Sequence, residues 1–134
     1  MTKLTSIGCI EERDAQKLKE SGIKSVEELL EKAGSTQGRQ EIALRTGINT
    51  ALLLRWVNHA DLFRIRGVGA EYAELLEAAG VDSSLELAHR SSEKLSQKLL
   101  EVNLAKNLVN KLPTDFEVDR WIQQAKGLAK IVFH

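Results

Sequence analysis

The sequence predicts an all-α fold, and three features of its 134 residues carry that expectation. Helix-start signals, Ser or Thr followed three positions later by Glu, recur along the chain. Single glycines close the apolar-periodic segments that follow. Period-two alternation of apolar and polar residues, the mark of a half-buried strand, is nearly absent. About eight or nine short helices joined by brief turns are expected.

The elements follow in order. A turn around Ile7 to Ile10 leads into a helix that stops at Gly22. Ser25-Val26-Glu27-Glu28 is a capping box, in which the serine oxygen accepts a helix-start N–H and the glutamate reaches back. The helix it opens ends near Gly34. "GRQEIALRTGINTALLLRWVNHA" then reads as helix, turn at Gly47, helix. That outline matches a helix-turn-helix, yet its second helix begins Asn49-Thr50-Ala51-Leu52-Leu53-Leu54. Those residues are too apolar for a nucleic-acid groove, so a core-packing helical hairpin is expected. After "RIRGVG" a helix runs from Ala70 to Ala79, with Ala73, Leu76 and Ala79 on a buried stripe and Leu75 beside it. Ser83-Ser84-Leu85-Glu86 repeats the capping box, and Thr114-Asp115-Phe116-Glu117 repeats it again behind Pro113. Gly22, Gly34, Gly47 and Gly80 are expected as left-handed helix stops.

An internal repeat organises these elements. "KLKESGIKSVEEL" from Lys17 aligns with "LLEAAGVDSSLEL" from Leu75 at an offset of 58, pairing Ala15 with Ala73, Gly22 with Gly80 and Ser25 with Ser83. "RWVNHA" from Arg55 aligns with "RWIQQA" from Arg120 at an offset of 65. The difference implies an insertion in the second copy, around "NLAKNLVNKLPT". Two copies of one helical unit, 1–61 and 62–134, are therefore expected, packed as one compact body because neither has much core of its own. Trp56 and Trp121 occupy matched positions and are expected as core anchors.

Composition limits the function classes. Hydrophobic residues make up 43% of the chain, and 19 basic residues balance 19 acidic ones. Neutrality argues against tight, non-specific nucleic-acid binding but allows a local site. The single cysteine, Cys9, cannot form an intramolecular disulfide and has no zinc-ligand set around it, so it is expected as a small buried apolar residue. The start of the chain has no signal-peptide character, and no apolar run is long enough to span a bilayer. A soluble, cytoplasmic protein without membrane insertion is expected.

The chemistry-bearing stretch is Arg64-Ile65-Arg66-Gly67-Val68-Gly69 and the helix after it. Ile65 and Val68 are apolar pins, and the glycines free the backbone for a tight turn. A dinucleotide-binding reading of Gly-x-Gly fails, because no strand precedes it and Tyr72 stands where a third glycine would be. The pattern apolar, Gly-apolar-Gly, then Ala73 four residues on, resembles the helix-hairpin-helix motif. The block "LRWVNHADLFRIRGVGAEYAELLEAAGV", with the duplication, resembles a family of uncharacterised duplicated helix-hairpin-helix proteins. That family is grouped with the DNA polymerase beta-like and Holliday-junction-protein hairpins. The resemblance implies a tandem, SAM-like helical fold of paired hairpin units. It also implies contact with nucleic-acid backbone phosphate through the amides of Gly67, Val68, Gly69 and Ala70, assisted by Arg64 and Arg66.

Against this, the first copy has Cys9 and Glu11 where the second has Gly67 and Gly69, so the first hairpin is expected to be structural. Between 61 and 90 there are three basic residues and six acidic ones, including Glu71 and Glu74 on the helix after the turn. Two functions stay open. One is a non-catalytic module that weakly contacts DNA or RNA backbone at the second hairpin. The other is a protein–protein interaction adaptor that keeps the hairpins only as scaffold. His59, His89 and His134 show no metal-ligand spacing, no nucleophile elbow or phosphate-binding loop is present, and neither an enzyme nor a cofactor is expected. His59 is expected as a core histidine. The apolar tail, Ile131-Val132-Phe133, is expected to fold back over a helix pair, or else to remain available to a partner.

Overall fold

The computed structural model describes residues 1–134. Eight α-helices and one short 3₁₀ turn (Leu4–Ser6) make up its regular structure, without strands. The helices are α1 (Glu12–Glu20), α2 (Val26–Ala33), α3 (Thr36–Thr46), α4 (Thr50–Leu62), α5 (Ala70–Ala78), α6 (Ser84–Ala88), α7 (Ser92–Lys106) and α8 (Asp115–Lys126). No helix is long and apolar enough to cross a membrane. The chain divides into two compact units, residues 1–61 with 130–134, and residues 62–129.

In the first unit, Leu4, Ile7, Ile10, Ala15 and Leu18 are buried around the opening turn and α1, and Val26, Leu29 and Ala33 bury one face of α2. Ser25 accepts the Glu28 amide at 3.1 Å. Glu28 does not close the expected box; its neighbour Glu27 instead accepts the amide and hydroxyl of Thr2, both at 2.8 Å. Thr2 O in turn accepts the Val26 amide at 3.0 Å, so residues 2–6 are pinned to the start of α2. These bonds, the backbone one foremost, hold the Glu27 carboxyl below its ordinary range. A carboxylate with a lowered folded pKa contributes stability at neutral pH that is lost as pH falls through that lowered value. Glu27→Gln is expected to remove about 0.5–1 kcal/mol at neutral pH and nothing once the acid is protonated. Urea unfolding of both proteins along an acid series checks this, since equal loss at every pH would contradict it.

Ser35, an additional cap, accepts the Gly38 amide at 2.9 Å to start α3. Gly22 and Gly47 have the expected left-handed backbone, with φ of 95° and 75°. Gly34 does not: its φ is −66°. Glycine is needed there for space, because a Cβ would run into the Ile131 carbonyl oxygen. The tail packs on this corner, with Phe133 N donating to Gly34 O at 2.7 Å. The buried Arg39 guanidinium donates to Ala33 O at 2.9 Å, to Gly34 O at 3.1 Å, to Thr36 Oγ1 at 3.2 Å and to Phe133 O. His134 Nε2 lies 3.1 Å from Asn58 Oδ1. The tail therefore folds back, as one of its two expected states.

In the second unit, α8 packs on α6 and α7, and α7 packs on α5. Their shared core contains Ile65, Val68, Ala73, Leu76, Leu87, Leu99, Val118, Trp121 and Ile122. Ser83 accepts the Glu86 amide at 3.2 Å, while the Glu86 carboxylate turns to Arg90 at 3.1 Å instead of closing the box. Only at Thr114 are both halves of the box formed. The stretch "NLAKNLVNKLPT" forms the end of α7 and the loop after it, which Asn103 holds. Its amide group bonds Val109 O at 3.1 Å and Val109 N at 3.0 Å.

Local hydrogen bonds recur at the offset of 58. Ile10 N reaches Ile7 O at 3.0 Å and Val68 N reaches Ile65 O at 3.1 Å. Ile23 N reaches Leu18 O at 2.9 Å and Val81 N reaches Leu76 O at 2.8 Å. Even the cation that caps the glycine carbonyl recurs, Lys32 on Gly22 O at 3.3 Å and Arg90 on Gly80 O at 3.2 Å.

Candidate functional site

The turn from Arg64 to Gly69 is built inward from its two apolar pins. Ile65 and Val68 are buried, which turns the intervening residues outward. Gly67 has φ of 96°, a region that side chains rarely adopt. A Cβ there would lie only 2.9 Å from Trp121 Nε1, so the indole is the wall against which the turn closes. Trp121 also packs on the Tyr72 ring, with centroids 5.3 Å apart and planes inclined at 53°. The Tyr72 hydroxyl donates to Lys111 O at 2.8 Å, and burial first, then Glu117 and Glu71, push its pKa up.

The outer side of the turn is held by Gln124. Its Oε1 accepts the Arg66 amide at 2.9 Å and its Nε2 donates to Arg66 O at 3.3 Å. Gln124 matches His59 at the offset of 65, and His59 Nδ1 lies 4.0 Å from Cys9 Sγ, on the turn of the first unit. The same position on the Arg-Trp helix therefore touches the turn in each unit. Aligning the two copies at both offsets would have revealed Gln124; the turn sequence alone could not. Cys9 is half-buried, more exposed than expected, while His59 is buried as expected.

The six residues of the candidate site are placed differently by the structure. The Val68 amide is spent on Ile65 O, and the Arg66 amide on Gln124. Arg64 Nη1 donates to Ala129 O at 3.0 Å, which ties the turn to the end of α8. Gly67, Gly69 and the Arg66 side chain are exposed, and Ala70 is half-exposed at the start of α5. Gly69 is the N-cap of α5 and brings no side chain to its orphan amides, and a Cβ there would meet nothing within 4 Å. At an uncapped helix start the amide donors and the helix dipole both favour negative charge. Glu71, exposed in the first turn of α5, satisfies the same dipole from within the chain.

At the matching point of the first unit, Glu11 is the N-cap of α1, and its Oε2 lies 3.1 Å from Arg13 Nε. A carboxylate there repels a phosphate, so the two turns share geometry and differ in chemistry. Both indoles are buried, which removes Trp56 and Trp121 as stacking platforms for bases. No three His, Cys, Asp or Glu side chains converge on a point that could hold a metal ion.

Comparison with curated proteins and with solved structures finds no match. The model of one family, described as a domain of unknown function (DUF4332), matches residues 8–128, a stretch that takes in α1 through α8, and the chain belongs to that family.

Proposed function

We propose that the protein is a non-catalytic, tandem helix-hairpin-helix module of the kind found in the DNA polymerase beta-like and Holliday-junction proteins. In this reading its second hairpin contacts nucleic-acid backbone phosphate without reading sequence. The observation that carries the reading is the uncapped, exposed Gly69–Ala70 start of α5 beside the exposed Arg66. The recurrence of local hydrogen bonds at the offset of 58 supports the tandem hairpin. Of the residues expected at the site, Arg66, Gly67, Gly69 and Ala70 are the ones left to face a phosphate. Arg64 and Val68 act through the shape of the turn.

One or two phosphate contacts give weak affinity with a shallow salt dependence, a slope of roughly −1 to −2 in log K against log salt. Fluorescence anisotropy with labelled duplex and single-stranded DNA across a salt series tests this. Arg66→Glu is expected to weaken binding by about tenfold, since it exchanges an attractive charge for a repulsive one. Absence of binding at the lowest salt would overturn the reading.

A specific observation favours the adaptor as the second reading. On α7, Leu104 is 79% exposed and Leu100, one turn before it, 43%, and at the start of α8 Phe116 is 68% exposed. Large apolar side chains left on the surface in this number are the kind of feature that protein contacts use. Arg120 lies 5.7 Å over the Phe116 ring and adds a cationic edge.

A further inference from the structure

The first unit contains a cleft of about 240 Å³ between the opening 3₁₀ turn and α1. Lys3, Lys19 and Lys24 line it from three different segments, together with Thr5 and one carboxylate, Glu12. Lys3 precedes the 3₁₀ turn, Lys19 sits in the last turn of α1, and Lys24 follows the buried Ile23. Three lysine side chains border one small concave site against a single carboxylate, a positive balance that favours an anion among them.

The fold does not require these charges. At the offset of 58 the three lysines match Asp61, Glu77 and Asp82, while the turns around them keep the same hydrogen bonds. Lys19 and Lys24 thus meet acidic counterparts on similar turns, whereas Lys3 lies on extended backbone before the 3₁₀ turn and its counterpart Asp61 is buried in α4. The backbone that presents Lys3 and Thr5 is also held in place. Leu4 is buried, and Thr2 is bonded through its amide, hydroxyl and carbonyl to the start of α2. The backbone that carries Lys3 and Thr5 is thereby ordered before a ligand arrives, which lowers the entropy cost of binding at that end of the cleft.

We propose that this cleft is a binding site for a small phosphorylated ligand, a phosphate or diphosphate group held by Lys3, Lys19 and Lys24 with the Thr5 hydroxyl as a further donor. The volume lies below that of drug-sized pockets and suits a phosphate group with little attached to it. Glu12 acts as the internal competitor, since its carboxylate can occupy the same ammonium groups. The site is separate from the second hairpin and does not depend on the nucleic-acid reading.

The test is a titration of the intact, isotope-labelled protein with pyrophosphate, and separately with inorganic phosphate, at low ionic strength, followed by amide NMR. Saturable shifts are expected at Lys3, Thr5, Lys19 and Lys24, with pyrophosphate the tighter ligand. Lys19→Glu with Lys24→Asp, the residue types of the second copy, is expected to weaken binding by at least about tenfold. Lys24→Asp alone is the milder variant, with its fold checked by the same spectra. Glu12→Gln is expected to tighten binding, which loss of structure could not produce. Lys98→Glu, exposed on α7, should leave it unchanged. Absence of saturable shifts, or an equal loss in Lys98→Glu, overturns the proposal. So does loss of pyrophosphate binding in Arg66→Glu, which would place the anion at the second hairpin. Failure of DNA binding with pyrophosphate binding intact rejects only the hairpin reading.

Discussion

Trp121→Ala is expected to destabilise residues 62–129 by about 3–5 kcal/mol, the range for deleting a buried aromatic side chain from a packed core. The indole is 2% exposed and belongs to the core shared by α5 through α8. Its loss does more than open a cavity. Trp121 is the wall behind Gly67 and the neighbour of the Tyr72 ring, so the turn and the start of α5 lose their common support. Trp121→Phe keeps most of the buried area but removes the Nε1 edge, and about half the effect or less is expected. Amide hydrogen exchange in α5 and α8 reads this unit by itself, alongside urea unfolding. A loss below about 1 kcal/mol would mean that the turn is held mainly by Gln124. The functional consequence follows, because the donors of the proposed phosphate contact other than the Arg66 guanidinium are backbone amides. They can be mispositioned without any change in the residues that carry them.

Arg39→Met is expected to cost about 2–4 kcal/mol in the first unit. The substitution keeps the apolar stem and removes the donors, leaving the carbonyls of Ala33, Gly34 and Phe133 without their guanidinium partner. Burial pushes the Arg39 pKa down, yet a guanidinium remains charged, so the buried cation is stabilised by carbonyl dipoles that point at it. Arg39→Lys is expected to restore only part of the loss, since one ammonium cannot serve the same fork of acceptors. The effect should be insensitive to salt, unlike that of a surface ion pair. Faster exchange of the Phe133 amide, which donates to Gly34, would report release of the tail. Unchanged exchange together with unchanged stability would contradict this account.

The two units show how charge can be rewritten on a conserved local geometry. In the turns, Glu11 stands against Gly69, and nearby in sequence Lys19 and Lys24 stand against Glu77 and Asp82. Neither exchange disturbs the buried pins Ile7, Ile10, Ile65 and Val68 or the backbone hydrogen bonds between them, which shape the turns together with Gln124 and Trp121 in the second unit. Exchanges of surface charge away from the core have small effects on stability.

Much of the architecture was legible before any coordinates. Ser25, Ser83 and Thr114 cap helices where their spacing to glutamate says they should, and Gly22, Gly47 and Gly80 stop helices with positive φ. These features depend on residues within four or five positions of one another, so the local sequence contains all the partners. The burial of Ala73, Leu76 and both tryptophans followed from helical periodicity for the same reason. Gly34 was misread because its constraint comes from Ile131, nearly a hundred residues away, and not from its own backbone angles. Gln124 on Arg66, Arg39 on the tail, and the three lysines around one cleft are likewise meetings of distant residues. Periodicity and capping determine which segments are helical and which face of each is buried. Which polar groups then share a site depends on how those faces close on one another, and that is settled by packing across the fold, where sequence spacing carries no information.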